Sequence, residues 1–346
     1  MIALSDIPSR VDAMIEDYLA ARSAEVCEIS PATQQAFELL QQSLRGGKRI
    51  RPMFAWVGFT SAPSDEDPEA VLRAITALEF IQSCAIIHDD IIDSSATRRG
   101  YPTVHRAIAA HHQTNNWSGN SEHFGIAVAI LIGDLALSWA DDLLNASGLS
   151  AAALARAWEP WRAMRTEVIA GQILDVSAEA RGSESVAEAE NINLYKTAAY
   201  TIARPLHLGA AIANAPANSL LRYGRDIGVA YQLRDDLLGV FGDPAVTGKP
   251  AGDDLREGKR TVLLATALQL LDASDPPAAA ELRAGMGTPN AAELAGLIRR
   301  SGAVEVMEQR IAELTASGLA HLDDSLPEDV TRALHSMAQK ATSRHA

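Results

Sequence analysis

The chain has 346 residues, of which 47% are hydrophobic and only 5% aromatic, and its formal net charge is −14. A chain of this length can bury one large core or two modest ones. The acidic balance argues against a general nucleic-acid-binding protein, because phosphate backbones require a basic face. A phosphorylated small molecule remains compatible with it where cations mediate the contact.

Helical periodicity recurs along almost the whole chain, and Gly- or Pro-containing breakers separate the periodic segments. Three segments, at 68–93, 123–146 and 217–240, are apolar on most faces, which predicts a central position. We expect loops at 111–123 and 272–290, no convincing strands, and one all-α domain over residues 1–346. Candidate helices cover about 6–27, 32–44, 50–61, 68–93, 101–112, 123–146, 151–178, 185–199, 201–214, 217–240, 259–272, 290–300, 303–321 and 327–344.

Cysteine content and the first segment indicate a cytoplasmic protein. Two cysteines, Cys27 and Cys84, are too few for a disulfide framework in a chain of this length. The first 26 residues have early acids and no basic segment followed by an apolar one, so they predict an amphipathic helix and not a signal peptide. No run of about 18 uninterrupted apolar residues occurs, and we therefore expect no membrane span.

The stretch IIHDDIIDSSATRRG (86–100) places three carboxylates at the end of an apolar helix. In a helix Asp93 lies on the same face as Asp89 and adjoins Asp90. Like charges at these spacings repel one another, and an apolar wall beside them increases the penalty. A divalent cation that prefers oxygen ligands, such as Mg²⁺, would relieve this repulsion while also binding substrate phosphates.

A second acidic pair, Asp235 and Asp236, ends another long apolar helix in AYQLRDDLLG. If the two helices pack side by side, their acids can face each other across a cleft that cations and a diphosphate would fill. The less specific interpretation is a solvated helix end, which is the common role of one acidic cluster in an acidic protein. We interpret the Asp141–Asp142 pair in SWADDLL as structural for that reason.

Basic residues near both acidic helices favour the phosphate-binding interpretation. The segment LRGGKRIRP carries three cations after a glycine pair, and Arg98 and Arg99 follow the first acids. Further cations stand in LYKTAAYT and on either side of GDDLREG. Together they suit two phosphorylated ligands, one held through metal and one held directly by Arg and Lys. The cations are Lys48, Arg49, Arg51, Arg98, Arg99, Lys196, Lys249 and Lys259.

In the order of its motifs the chain resembles the trans (all-E) polyprenyl diphosphate synthases. The motifs are GGKRIRP, HDDIIDSSATRRG, LIGDLAL, GQILDV, YKTA, YQLRDDLLGVFGD and GKPAGDDLREGKRT. The resemblance implies a helical bundle of the isoprenoid synthase type with a central active-site cavity, Mg²⁺ as cofactor with three ions per site, and a homodimer. It implies a prenyltransferase in which isopentenyl diphosphate attacks an allylic cation, formed when an allylic diphosphate of five to fifteen carbons loses diphosphate.

The resemblance also assigns roles to individual positions of this chain. Metal ligands would be Asp89, Asp90, Asp93, Asp235 and Asp236; with Lys196 and Thr197 they form the predicted catalytic set. The allylic diphosphate would contact Arg98, Lys196, Lys249 and Lys259, with Gln232 nearby and Thr197 helping to stabilise the cation. Isopentenyl diphosphate would contact Lys48, Arg51, Gln82 and Arg99.

One position departs from the family pattern. The second acidic motif usually ends in a third Asp, and here Gly239 stands in its place. We expect weaker metal binding or a changed metal preference, with the chemistry retained because the first motif is complete. Asp243, four residues further on, is a candidate replacement.

Product length is expected to depend on the helix that precedes the first acids. One helical turn rises about 5.4 Å, close to one extended isoprene unit. Cys84 and Ala85 lie one turn before the acids and are small, so a fifteen-carbon tail should pass. Phe80 and Ile81 lie one turn deeper and would stop the tail near twenty carbons if they face the tunnel, although Phe80 is equally compatible with a core position. The expected product is geranylgeranyl diphosphate.

Several alternatives remain at this point. The product could be farnesyl diphosphate or a chain of 25 or more carbons. A class I terpene cyclase shares the fold and one acidic motif, but it would not need the Lys48 and Arg51 site and usually carries an Asn/Ser/Glu second motif, which is absent around 231–243. A silent regulatory partner subunit is favoured only by Gly239, and a helical scaffold leaves the paired clusters unexplained.

Overall fold

The computed structural model describes residues 2–30, 33–243, 251–323 and 325–343, and these residues are predominantly helical. A short 3₁₀-helix, Leu4–Asp6, precedes the first α-helix. The helices up to the middle of the chain are α1 (Ile7–Ile29), α2 (Gln34–Leu44), α3 (Ile50–Phe59), α4 (Pro68–Ile92), α5 (Val104–Thr114), α6 (Ser121–Asn145) and α7 (Ala151–Arg181). A two-residue hairpin, β1 (Thr97–Arg98) with β2 (Tyr101–Pro102), separates α4 from α5.

The second half of the chain contains shorter helices around one long one. They are α8 (Val186–Ile192), a π-helix (Asn193–Ala203), α9 (Arg204–Ile212), α10 (Asn218–Phe241), α11 (Asp253–Glu257), α12 (Val262–Ser274), α13 (Pro276–Gly285), α14 (Ala291–Ser301), α15 (Ala303–Ala320) and α16 (Glu328–Thr342). The predicted all-α fold is confirmed.

The chain divides into two compact units. The first comprises Met1–Trp56 with Ser64–Arg156, and the second comprises Val57–Pro63 with Ala157–Ala346. The prediction of one domain over the whole chain is not tested by this division and stays a prediction.

The first unit is built on the antiparallel neighbours α4 and α6, which pack together along their lengths. Helix α4 begins after Asp67, whose side chain accepts a hydrogen bond from the Glu69 backbone N–H, and Pro68 occupies its first turn. Most of its residues are buried, as the apolar pattern predicted. Its last turn carries the first acidic motif, so burial of the helix fixes where those carboxylates lie.

The second unit is organised around α10, which packs against the π-helix, α15 and α16. Its buried residues include Leu220, Ile227 and Leu233, spaced at helical intervals on one side. Arg234 fastens α10 to the final helices, because its guanidinium pairs with Glu308 at 2.5 Å and donates to the Thr342 carbonyl at 2.9 Å. The second acidic motif therefore also stands on a helix that packing holds in place.

Three local expectations were wrong. The 272–290 region contains α13 and not only loop, because Asp275 caps the helix through the Ala278 N–H and prolines occupy its first turn. The 111–123 loop is shorter than expected, since α5 continues to Thr114 and α6 begins at Ser121. Residues 193–203 form a π-helix, which a 3.6-residue period does not reveal.

Two helices, α4 and α6, are long and apolar enough to cross a bilayer by length and composition alone. In α4, 78% of the most apolar window is buried inside the protein, and in α6 39% is. Helices that are apolar on all sides occur both in protein cores and in membranes. The burial of α4 is that of a core helix, and the absence of a membrane span stays a prediction.

Candidate active site

The first acidic motif lies at the C-terminal end of α4. Asp89 and Asp90 are in its last turn, and Asp93 is the residue that caps it, with its N–H bonded to the Asp89 carbonyl at 2.8 Å. Carboxylates at a helix C-terminus meet the negative end of the helix dipole as well as one another. Such a cluster requires compensating positive charge.

Arg98, on the β1–β2 hairpin, supplies part of that charge. Its Nε donates to Asp90 Oδ1 at 2.7 Å and its Nη2 lies 3.5 Å from Asp89 Oδ2. Asp90 is only 3% exposed, whereas the Asp89 side chain is 24% exposed. The structure thus brings the predicted allylic-diphosphate arginine against the predicted metal carboxylates, and it leaves Asp89 the more accessible of the two.

The predicted isopentenyl-diphosphate residues all belong to the first unit, and two of their segments touch. Gly46 and Gly47 have φ of 71° and 100°, which turns the chain sharply before Lys48. Arg99 reaches this turn, where its Nη1 donates to the Arg45 carbonyl at 3.5 Å. Lys48 is exposed, and Arg51 and Gln82 are partly buried.

The predicted length-determining residues occupy buried and half-buried positions on α4. Cys84 is 8% exposed, and burial, helped by the charge of Asp134, raises the pKa of its thiol to about 12. Cys84 is therefore small and uncharged, and its contact with the growing chain stays a prediction. Phe80 is fully buried, and its ring meets that of Tyr18 edge to face at 5.4 Å. Ile81 is buried and Ala85 is partly buried.

The second acidic motif lies near the C-terminal end of α10. Asp236 is 3% exposed, and its Oδ1 accepts a hydrogen bond from Gln232 Nε2 at 2.8 Å. Its Oδ2 is buried and has no hydrogen-bond partner in the described part of the chain. Burial raises the pKa of Asp236 to about 7, and the negative charges of Asp254 and Asp235 act in the same direction while the Gln232 amide opposes them.

Gly239 makes room for a carboxylate from elsewhere in the chain. A Cβ at this position would lie 1.9 Å from Asp254 Oδ2, so the Asp254 side chain occupies the space that a third motif acid would enter. The Gly252 N–H donates to the Gly239 carbonyl at 3.0 Å, which holds the segment of α11 against α10. The acid that reaches this point is Asp254, whereas sequence reasoning offered Asp243.

The remaining predicted residues of the second unit lie on the π-helix and around α11. Lys196 Nζ donates to Asp175 Oδ2 on α7 at 2.5 Å, and Thr197 follows it, partly buried. Lys259 Nζ lies 3.0 Å from Glu257 Oε2 and 4.0 Å from Asp254 Oδ1. Lys249 lies outside the described residues.

Sequence reasoning assigned no role to two acids that the structure places beside predicted site residues. Asp175 belongs to GQILDV, a motif that the resemblance had singled out without assigning its residues, so a signal was present. Asp254 belongs to a motif in which only the lysines were assigned. Its proximity to Gly239 depends on the fold of residues 251–259 and had no sequence signal beyond its own charge.

The donor set suits Mg²⁺. The side chains concerned offer carboxylate oxygens, which Mg²⁺ prefers as ligands, and one of these, Asp236 Oδ2, is buried. Within those residues no group of three Asp, Glu, His or Cys side chains is arranged to hold a metal ion by itself. This fits an ion that takes one or two carboxylates and completes its shell with water and substrate phosphate. Convergence of the two acidic motifs stays a prediction.

Several known proteins are similar to this chain in sequence. The polyprenyl synthetase family matches residues 33–295. A geranylfarnesyl diphosphate synthase of Natronomonas pharaonis is 32% identical over 84% of this chain and 83% of its own length. A geranylgeranyl diphosphate synthase of Mycobacterium tuberculosis is also 32% identical, over 81% of this chain and 76% of its own.

Solved structures are also similar to this chain. A crystal structure of geranylgeranyl pyrophosphate synthase from Corynebacterium glutamicum, complexed with isoprenyl diphosphate and magnesium, is 53% identical, with a TM-score of 0.96 over 99% of this chain and 100% of that one. The predicted resemblance is thereby confirmed. The chain belongs to the polyprenyl synthetase family and is a chain-elongating prenyltransferase.

Proposed function

We propose that this chain is a geranylgeranyl diphosphate synthase. It condenses isopentenyl diphosphate with allylic diphosphates of five to fifteen carbons and depends on Mg²⁺. The observation that carries the proposal is the contact of Arg98 with Asp89 and Asp90, which supports a role for Arg98 in binding a diphosphate beside carboxylates suited to magnesium. The similar Corynebacterium glutamicum protein, described with isoprenyl diphosphate and magnesium, supports both the substrate class and the metal.

The chain's own residues would bind, orient and shield the reactants. Asp89, Asp90, Asp93, Asp235 and Asp236 would hold magnesium, which when bound would supply the positive charge that neutralises the departing diphosphate. Arg98 and Lys196 donate charge-assisted hydrogen bonds to the allylic diphosphate, and Lys249 and Lys259 add to them. Lys48, Arg51, Gln82 and Arg99 hold isopentenyl diphosphate, and Thr197 places its oxygen near the cation. We assign three ions to each site.

Asp254 takes the place of the third acid in the second motif. Its carboxylate lies where a side chain at position 239 would begin, so the negative charge is present although the motif residue is glycine. This removes the feature that favoured a silent partner subunit, because Gly239 no longer implies a missing acid. Asp90 and Asp236 are the least exposed acids of the two motifs, and in this proposal they complete the metal-binding set from buried positions.

The length of the product is set on α4 below the first acids. Cys84 is small and uncharged, so it lets a fifteen-carbon tail pass. Phe80 cannot swing aside easily, because it is fully buried and its ring is fixed edge to face by Tyr18, which in turn meets Trp139 at 5.9 Å. An immobile ring at this depth ends elongation at twenty carbons.

Product chromatography tests the proposal directly. The purified chain, given isopentenyl diphosphate with dimethylallyl, geranyl or farnesyl diphosphate and Mg²⁺, should yield mainly the twenty-carbon product. Cys84→Phe should shift it to fifteen carbons and Phe80→Ala to 25 or more. Phe54→Ala, which empties a buried aromatic site on α3, is the control and should leave product length unchanged. A main product of 25 carbons from the unaltered chain would place it with the geranylfarnesyl synthases, and turnover of allylic diphosphate alone would indicate a cyclase.

Three further attributes belong to the same proposal. We assign the enzyme to the cytoplasm, as the low cysteine content predicts. We also assign it a homodimeric state, for which light scattering is the measurement. No nucleic acid is expected as a partner, because the chain carries 44 acidic and 30 basic residues.

A further inference from the structure

Of the three cations in GGKRIRP, Arg49 is the buried one. It is 4% exposed, whereas Lys48 beside it is exposed and Arg51 is partly exposed. Its φ of 48° lies in the left-handed region, where residues other than glycine are uncommon. A non-glycine residue persists there only when its surroundings hold it.

The surroundings of Arg49 are three helices of the first unit. Its Nε donates to Asp12 Oδ1 on α1 at 2.7 Å, and its Nη1 donates to Glu79 Oε2 on α4 at 2.5 Å. Its Nη2 donates to the carbonyl of Leu44, the last residue of α2, at 2.6 Å. The Arg49 side chain therefore links the loop between α2 and α3 to α1, α2 and α4.

The contact with Glu79 makes this set of hydrogen bonds specific for arginine. Glu79 is itself only 7% exposed, so its charge depends on the guanidinium for compensation. A planar guanidinium can donate in three directions at once, which a lysine ammonium on a flexible stem does not reproduce in the same geometry. Replacing Arg49 by Lys would keep the charge and lose the fixed directions.

The residues proposed to hold isopentenyl diphosphate are close neighbours of this set of hydrogen bonds. Gln82 lies three residues after Glu79 on α4, and residues at that spacing adjoin on a helix. At Gly47 a Cβ would lie 3.9 Å from Arg49 Nη1 and 3.6 Å from Arg99 Nη2, so both guanidinium groups come close to this turn. Lys48 and Arg51 flank Arg49 in the sequence.

The geometry points to Arg49 as a positioning residue for isopentenyl diphosphate. It does not touch the substrate; it fixes the backbone that presents Lys48 and Arg51 and the register of that loop against Gln82 and Arg99. This inference rests on the proposed function. It predicts that removing the hydrogen bonds of Arg49 weakens binding of isopentenyl diphosphate and leaves binding of the allylic substrate unchanged.

The test compares Arg49→Lys with Arg10→Gln. Arg10 pairs with Glu69 and so also joins α1 to α4, but this pair is exposed and its side chains retain 41% and 43% of their surface. Binding of isopentenyl diphosphate is measured by calorimetry without metal, and KM is then measured for each substrate with the other saturating. Circular dichroism checks that both variants fold.

For Arg49→Lys the Kd and the KM for isopentenyl diphosphate should rise about tenfold, while the KM for the allylic substrate stays within about twofold. Arg10→Gln should leave all three values within about twofold of the unaltered chain. If Arg49→Lys does not fold, Arg49→Gln combined with Glu79→Gln decides the matter, since it leaves no unpaired buried charge. It should show the same selective loss.

Unchanged isopentenyl-diphosphate binding in a folded Arg49 variant would overturn the inference. So would an equal rise of both KM values, or collapse of the double variant, because either describes a residue that merely stabilises the fold. If the unaltered chain itself neither binds nor consumes isopentenyl diphosphate, the proposed function fails instead, and the two failures are thus told apart.

Discussion

The two acidic motifs are alike in position and different in surroundings. Each ends an apolar helix, and in each the second aspartate is 3% exposed. Asp90 accepts a hydrogen bond from the guanidinium of Arg98, whereas Asp236 accepts one from the neutral amide of Gln232 and has Asp254 and Asp235 near it. The buried acid of the first motif thus has a guanidinium as its hydrogen-bond donor, whereas the buried acid of the second has a neutral amide.

Burial alone therefore does not determine the protonation state of a carboxylate in these motifs. A guanidinium compensates the desolvation of a buried carboxylate, and an amide does so only in part. We therefore expect Asp236 to depend more on an added cation than Asp90 does. Substitutions in either acidic motif test this difference in charge compensation.

The largest effect is expected for Asp89→Ala, which removes the more accessible carboxylate of the first pair. Turnover should fall by about a thousandfold or more, because charge neutralisation of the leaving diphosphate is lost. The helical circular-dichroism signal should be retained. Asp142→Ala, an exposed member of the other Asp-Asp pair on α6, is the control and should keep near-normal turnover. Substantial activity in Asp89→Ala would contradict the assignment.

Arg98→Gln replaces the guanidinium that donates to Asp90 by a neutral amide, the kind of group that donates to Asp236. The kcat/KM for the allylic substrate should fall about a hundredfold, since a diphosphate contact is lost. Stability to urea should fall by about 2 kcal/mol, because Asp90 stays buried without its guanidinium. Adding Asp90→Asn should restore most of the stability and none of the activity. A double variant as unstable as the single one would show that Asp90 does not need the charge of Arg98.

Gly239→Asp inserts the family's usual acid into the second motif. Its Cβ would collide with the end of the Asp254 side chain, which must shift, and because this is the end of a flexible side chain and not backbone, folding should be retained. Affinity for Mn²⁺ in the presence of inorganic diphosphate, followed by electron paramagnetic resonance, should weaken about fivefold. Gly296→Asp, at a helical glycine with only Arg300 Nη1 at 3.6 Å, is the matched control. Tighter binding in Gly239→Asp would mean that the new acid supplements Asp254.

The smallest effect concerns pH. Because the pKa of Asp236 is raised to about 7, the folded chain holds a proton that the unfolded chain releases near its ordinary value of 3.8. Proton binding by Asp236 therefore stabilises the folded chain fully below pH 3.8, and this stabilisation is lost as the pH rises from 3.8 through about 7. Between pH 6 and 8, without divalent ions, Asp236→Asn should gain about 1 kcal/mol relative to the unaltered chain in urea unfolding. Parallel pH curves for the two proteins would contradict the raised pKa.

Much of the fold was predictable because it depends on local and periodic signals. The apolar periods of α4, α6 and α10 predicted their central positions, and the end of α4 fell within one residue of the predicted boundary. The order of the motifs predicted the family. Helix α13 was missed because its prolines were interpreted as breakers, although proline is favoured in the first turn of a helix.

Parts of the site could not be predicted because they depend on residues far apart in the chain. The pairing of Lys196 with Asp175 and the contact of Arg49 with Asp12 and Glu79 join different helices. The charges of these residues were visible in the sequence, but nothing in a linear pattern says which partner each will meet. The π-helix that carries Lys196 shifts its side chains out of the ordinary helical period.

The helical class, the family and the residues to which we assign the chemistry could be predicted from the linear chain, because hydrophobic period and motif spacing are properties of the sequence. How the charges of those residues are compensated became visible only in the folded chain. It set Arg98 on Asp90, left Asp236 with a neutral amide, and filled the gap at Gly239 with Asp254. The reason is that electrostatic energy depends on distance and burial, which arise when separate segments pack together.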